Sequence, residues 1–312
     1  MGIIIILSVV VILIIFFFLT RKPKRKESPK PGERKIVFRG PAGIGDRLSA
    51  LVCYKVICDY KGYDLIMFNT CEEDDRCYDF QSFIEFEGLE YTDDPADFDD
   101  YINHHGYISS LHCNEILKTM ATPDEVYKKY IETFRKIKPT EIVKSYFPDE
   151  PLDDVYGIHL RKGDKIQSIP FFTFSQHSTS QDEFDTVIEK LLQDVKVIIE
   201  TENNPKFLVV SESQSWRKEF IEKMKSLGNF TLIEVKDVPK NTHRGIESIV
   251  DFFALAQCKK LFMGIGFSVF TIAASIIGDK PLVTYMNKQC LDQYMEGGSE
   301  ICKGSYIKSN LK

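Results

Sequence analysis

The sequence predicts an α/β protein of two halves, each a parallel sheet with helices packed on its faces. Three observations predict it. From Asp154 onward, strand-like and helix-like runs alternate for about 130 residues, the mark of a parallel sheet covered on both sides. Near residue 35, a β-branched run, a glycine loop and a helix-period run precede another apolar run, the order of a β-α-β unit. The chain has 312 residues, 43% hydrophobic and 28% charged, enough for one full core and room for two. That composition excludes a disordered tail, a collagen-like fibre and a small disulfide scaffold.

Ahead of the body, Ile3 to Leu19 are seventeen consecutive residues with Ser8 as the only polar one, about the minimum for a helix crossing a hydrocarbon core. No Lys or Arg precedes them, and Phe17-Phe18-Leu19-Thr20 offers no small-residue cleavage site. Residues 1–20 therefore read as an uncleaved transmembrane anchor rather than a signal peptide. Arg21, Lys22, Lys24, Arg25 and Lys26 follow, so the positive-inside rule expects a single-pass membrane protein with a cytoplasmic body. The sequon Asn229-Phe230-Thr231 would matter only if the body were lumenal. Residues 21–34 mix Pro23, Pro29, Pro31 and Gly32 with charges and read as a solvated basic stalk.

The formal charge is -6, but residues 21–30 hold six Lys/Arg against one Glu, which leaves -11 on the remainder. A body that acidic excludes a non-specific nucleic-acid partner. The eight cysteines form no C-x-x-C pair and suit neither a zinc ribbon nor a dense disulfide framework, so they read as reduced, buried thiols.

Folded structure should start near Lys35. Lys35 to Arg39 is a short strand; Leu48, Leu51, Val52, Val56 and Ile57 fall on one helical face; Asp64 to Phe68 is the next strand. Cys71 to Tyr107 is acidic and aromatic with weak periodicity and reads as irregular surface with short strands. Pro123 to Ile137 opens on proline and acids and spaces Val126, Tyr130, Ile131 and Phe134 as a helix. Beyond a break near Pro148 to Asp154, strands are expected at Val155–Leu160, Lys206–Val210, Phe230–Val235, Lys260–Met263 and Pro281–Tyr285. Helices are expected at Asp182–Glu200, Ser213–Ser226, Gly245–Gln257 and Ser268–Ile277. The domain division is thus 35–150 and 151–312.

In open parallel sheets ligands collect beyond the carboxyl ends of strands, where helix N-termini offer unpaired N–H groups. Three loops fall there. In the first, Gly43, Gly45, Asp46 and Arg47 follow a strand; glycines let the backbone approach closely, and Asp46 is either a helix N-cap or a cleft carboxylate. It is neither a Walker loop nor a full dinucleotide fingerprint. In the second, His159, Arg161, Lys162 and Asp164 end a strand, with His159 and Arg161 on one face. Their charges either pair among themselves or suit a diphosphate, with the Arg161 fork on phosphate oxygens and Asp164 holding it. In the third, Gly266, Phe267, Ser268 and Thr271 open a helix, an anion site needing no metal or an ordinary capped start. Asp251, in an apolar helix, needs a partner, and the N1–H and amino edge of guanine is one. No D-x-D triplet ends a strand, and His104-His105 with His112 and Cys113 match no standard zinc spacing, so no metal is expected.

The order and spacing of these loops resemble the superfamily of α1,2-, α1,6- and protein-O-fucosyltransferases over most of residues 35 to 285. Gly43-Ile44-Gly45-Asp46 is similar to the family's G-x-G-N/D loop on the acceptor side. His159-Leu160-Arg161-Lys162-Gly163-Asp164 is similar to its H-x-R-R-x-D donor motif, with Lys162 for the second Arg. Asp251 with Gly266-Phe267-Ser268-Val269-Phe270-Thr271 resembles its D…S-S/T-F-S region, and Ser211-Glu212 its Ser-Asp step. The resemblance implies a GT-B-like fold of two Rossmann-like halves with GDP-fucose mainly on the C-terminal half, inversion at the anomeric carbon and no metal cofactor. It also implies Arg161 on the leaving diphosphate, Asp46 as base on the acceptor hydroxyl of a glycan or protein, and Asp251 on guanine. Two alternatives stand beside it: a GT-B enzyme using another nucleotide sugar, and a non-catalytic, membrane-tethered nucleotide-binding α/β module.

Overall fold

The computed structural model describes residues 35–39, 43–68, 80–92, 102–105, 122–161, 181–239, 245–264 and 268–285. The expected anchor and stalk lie outside these residues, as do Lys162, Asp164, Gly266, Phe267, His112 and Cys113. Among the described residues, no helix is long and apolar enough to cross a membrane.

The first half is built on β1 (Lys35–Arg39), α1 (Ile44–Lys61), β2 (Asp64–Phe68), α2 (Phe80–Phe83), β3 (Ile84–Glu85), β4 (Leu89–Thr92) and β5 (Ile102–His105). It continues through α3 (Pro123–Phe134), β6 (Lys138–Pro139) and α4 (Glu141–Lys144). Four strands form a parallel sheet in the order β4-β2-β1-β5, and β3 pairs antiparallel with β6. The segment expected to be irregular surface with short strands thus supplies both outer strands of that sheet. Outer strands carry little periodicity, and β4 is mostly half-exposed. α3 starts on a capping box in which Thr122 and Glu125 exchange bonds, with Pro123 at its first position, so its start is fixed locally.

The second half follows as β7 (Val155–Leu160), α5 (Gln181–Thr201), β8 (Lys206–Ser211), α6 (Gln214–Lys225) and β9 (Thr231–Ile233). It closes with α7 (Ile246–Gln257), β10 (Lys260–Gly264), α8 (Val269–Gly278) and β11 (Leu282–Thr284). The five strands form a parallel sheet in the order β11-β10-β7-β8-β9. β7, at its centre, is buried along its whole length. Its alternation splits the interior: Tyr156, Ile158 and Leu160 pack on Phe184 and Leu191 of α5 and Trp216 and Phe220 of α6. The opposite face carries α7 and α8.

That second face belongs to a core shared by both halves. Leu48, Leu51 and Val52 of α1 and Tyr130 and Phe134 of α3 form one apolar cluster with Phe252 and Phe253 of α7 and Ile272 of α8. At the end of α8, Arg135 donates through Nε to the Ile276 carbonyl at 3.3 Å and ion-pairs with Asp279. At its start, Gly45 of α1 lies flat on the backbone: a Cβ there would sit 2.7 Å from Phe270 N and 2.8 Å from Phe270 Cα. The α7–α8 contact is equally close, since a Cβ on Gly278 would fall 1.8 Å from the Ala256 oxygen.

Because the α7/α8 face is covered by α1 and α3, residues 151–312 expressed alone should lack a cooperative thermal transition and bind hydrophobic dyes; a sharp melt of that fragment would contradict the shared core. Gly45→Ala, which presses a methyl into backbone that cannot rotate away, should lower stability of the whole chain by about 1–3 kcal/mol. Thermal melting measures that shift.

Candidate active site

Register sets the carboxyl edge of the second sheet. Leu160 is paired with Ser211 on one side and Gly264 on the other, so the ends of β8, β7 and β10 lie abreast. Arg161 follows β7 there, half-buried. Period two turns His159 to the α7/α8 side of the sheet, the face opposite Leu160.

His159 is 5% exposed. Its Nδ1 lies 2.6 Å from the Thr271 hydroxyl and 3.4 Å from that of Ser268. Its ring centroid is 4.7 Å from that of Phe270. Burial, with help from the Arg161 charge, pushes the imidazole down to about 3. His159 is therefore neutral at physiological pH, and the cation of this strand end is Arg161. Ser268 and Thr271, expected to face an anion, are fully buried against His159. Ser268 is the N-cap of α8, but its side chain makes no cap bond, and its N–H points to the Met263 sulfur at 3.1 Å.

The first loop reaches the same point from the other half. Gly43 occupies the N-cap of α1 in extended backbone, and Asp46 falls in the first turn, exposed. Asp46 is thus not the cap: the helix begins at Ile44, ahead of it. Its carboxylate sits at the positive end of the α1 dipole, facing solvent. Arg47 is 8% exposed. Gly45 is in contact with the start of α8, as described above, and Ser49 fixes the turn by donating to the Gly45 carbonyl at 2.7 Å.

Phe252 links the fourth element. Its ring lies 5.3 Å from that of Phe270 in a near-perpendicular arrangement. Its neighbour Asp251 is half-buried, and burial pushes the carboxyl up to about 7, Glu247 adding to the rise and Arg217 opposing it. Arg217 is itself anchored, donating through Nε to the Val209 carbonyl at 2.7 Å and through Nη2 to Glu234 at 2.9 Å. Ser211 is buried and accepts from the Ser213 N–H at 3.2 Å, while Glu212 is exposed.

The structure therefore brings Gly45, His159, Arg161, Ser268 and Thr271 to one edge, with Ser211 on the adjoining strand end; Asp251 lies on α7 beside Phe252, whose ring meets that of Phe270. Sequence reasoning missed the Phe270 ring, which touches β7 and α7 while its backbone supports α1, and it missed Arg217, which faces Asp251. The signal for Arg217 was its place four residues after the Ser213 cap, in the first turn of α6. Among the described residues, no group of three or more His, Cys, Asp or Glu side chains is placed to hold a metal ion.

No protein-family model and no curated protein matches the sequence. Solved structures do. The α-1,6-fucosyltransferase NodZ, from Bradyrhizobium, soaked with GDP-fucose, superposes with a TM-score of 0.51 at 15% identity, covering 81% of this chain and 95% of NodZ. NodZ co-crystallised with GDP gives 0.50 at 16% identity with the same coverage. A FUT1 variant from Arabidopsis thaliana in complex with GDP gives 0.51 at 15% identity, covering 84% of this chain and 73% of FUT1. This chain has the fold of these fucosyltransferases.

Proposed function

We propose that the chain is a glycosyltransferase that moves fucose from GDP-fucose to a hydroxyl of a glycan or protein, with inversion and without a metal. Residues 3–19 would anchor it in a membrane, with the basic flank keeping the body on the cytoplasmic side. The observation that carries the reading is the meeting of three sequence-distant turns at one sheet edge: Gly45, His159 and the Ser268–Thr271 turn are in mutual contact through α8. Both solved relatives were crystallised with GDP or GDP-fucose at 15–16% identity, which supports the donor class.

In this reading the bond from the anomeric carbon to the diphosphate oxygen breaks as the acceptor oxygen attacks the opposite face. The leaving diphosphate keeps the bonding electron pair, and its growing charge is met by the Arg161 guanidinium and the N-terminal dipole of α8. The helix dipole is in place before the reaction and does not have to reorganise. Asp46 takes the proton of the attacking hydroxyl; its exposure at the start of α1 leaves it open to an acceptor from solvent. Lys162, Asp164, Gly266 and Phe267 complete the donor turns in the same proposal. Asp251 and the Ser211-Glu212 step lie toward the base, where a carboxylate would accept from the N1–H and amino group of guanine.

Arg161→Ala should slow transfer by about 10² to 10³ with an unchanged circular dichroism spectrum; full turnover in that variant would overturn the donor site. Asp251 gives a pH prediction. A guanine edge needs the ionised carboxylate, whose population in the empty site rises through about 7. GDP should accordingly bind about tenfold more weakly at about pH 6 than at about pH 8. Asp251→Asn should flatten that dependence relative to the unaltered chain and reduce the preference for GDP over UDP in calorimetry. Equal slopes in the two proteins would remove guanine from the reading.

A further inference from the structure

The side chain of His159 bonds across from the central strand to α8. Its ring is enclosed: Thr271 and Ser268 meet Nδ1, and Phe270 covers a face. Thr271 is 0% exposed and cannot reach a ligand in solvent. Its hydroxyl nevertheless holds the shorter of the two bonds to Nδ1, at 2.6 Å. An imidazole whose Nδ1 is bonded to a fully buried hydroxyl can fix the distance between two backbone elements. Here those elements are the end of β7, from which Arg161 projects, and the first turn of α8.

The geometry points to His159 as a positioning residue that acts through Thr271, a latch between β7 and α8 that sets where Arg161 and the α8 N-terminus stand relative to each other. Resting on the donor-site reading above, it replaces a direct contact of the imidazole with the donor by an indirect one. The neutral imidazole suits the task. A neutral ring and a hydroxyl can bond in either tautomer, the hydroxyl donating to or accepting from Nδ1, without burying a charge. Phe270 adds shape: its ring lies against His159 on one side and Phe252 on the other, so a shift of the imidazole is resisted by α7 as well. The register supports the same role, because Met263, which receives the Ser268 N–H, is paired directly with His159.

The test is a double-mutant cycle on the full chain with GDP as the probe, read by calorimetry at about pH 7.5. His159→Phe keeps a ring against Phe270 and removes Nδ1; Thr271→Val keeps the shape and removes the hydroxyl; Thr271→Ser restores the hydroxyl. The latch expects each of the first two to weaken GDP binding about tenfold at a melting temperature within a few degrees. It expects the double variant to be no weaker than either single one, and Thr271→Ser to bind like the unaltered chain. Weakening by His159→Phe with none by Thr271→Val, or fully additive losses, would overturn it. If His159→Phe fails to fold, the Thr271 pair decides: loss in Val with recovery in Ser supports the latch, and no loss in Val ends it. Should the unaltered chain bind no GDP, the donor reading falls, and amide hydrogen exchange in residues 268–271 decides the latch instead. Faster exchange in both single variants supports it, and unchanged exchange refutes it.

Discussion

The structure turns on a backbone-to-backbone approach with no side chain between: Gly45 of α1 against the first turn of α8. Helices normally pack at distances set by intervening side chains, and a glycine at the crossing lets them come closer. The approach brings a turn from the first sheet within reach of turns at the end of the second. The shared apolar cluster follows from it, since Leu48, Leu51 and Val52 continue along α1 onto the same face that Phe252, Phe253 and Ile272 occupy. Arg135 closes the arrangement at the far end of α8.

Burial also rewrites the charge at the edge. In water at about pH 5.5 an imidazole is mostly charged and an aspartate ionised. Here the imidazole of His159 is held down to about 3 and the carboxyl of Asp251 up to about 7, so both are neutral in that range. Two groups that are charged in the unfolded chain are thus uncharged in the folded one. The two have opposite effects on stability as pH changes. His159 makes the fold less stable as pH falls from about 6.5 toward 3, and Asp251 makes it less stable as pH rises from about 3.8 toward 7. The formal positive charge at the β7 end is left to Arg161.

Much of this was legible in the residues. The β-α-β start, the strands at Val155–Leu160 and Lys206–Ser211 and the helices between them follow from period and from β-branched runs, because central strands buried on both faces are continuously apolar. The outer strands β4 and β5 were illegible in detail: each is paired on one side only, and β4, mostly half-exposed, carries neither alternation nor an apolar run. The three loops could be found from their glycines and charges, and so could their resemblance to a family. Their mutual contacts could not, since Gly45 and Phe270, or His159 and Thr271, are brought together by the packing of α8, which no spacing in the sequence encodes. The inward turn of His159 was half visible. Period two put it and Arg161 on one side of β7, but only the parallel register shows α8 above it. Of the two readings of Asp46, the cap is excluded, because the extended backbone of Gly43 takes that position three residues earlier.

Helix α8 is gripped at both ends by the first half while its flank lies on α7 of the second. It is therefore a shared axle rather than a part of one lobe. Any swing of one sheet against the other must turn this axle or slide it along α7, where Gly278 and Ala256 leave no slack for a methyl group. A displacement of the first half at Gly45 or Arg135 would thus be carried along this ten-residue helix to its contact with α7.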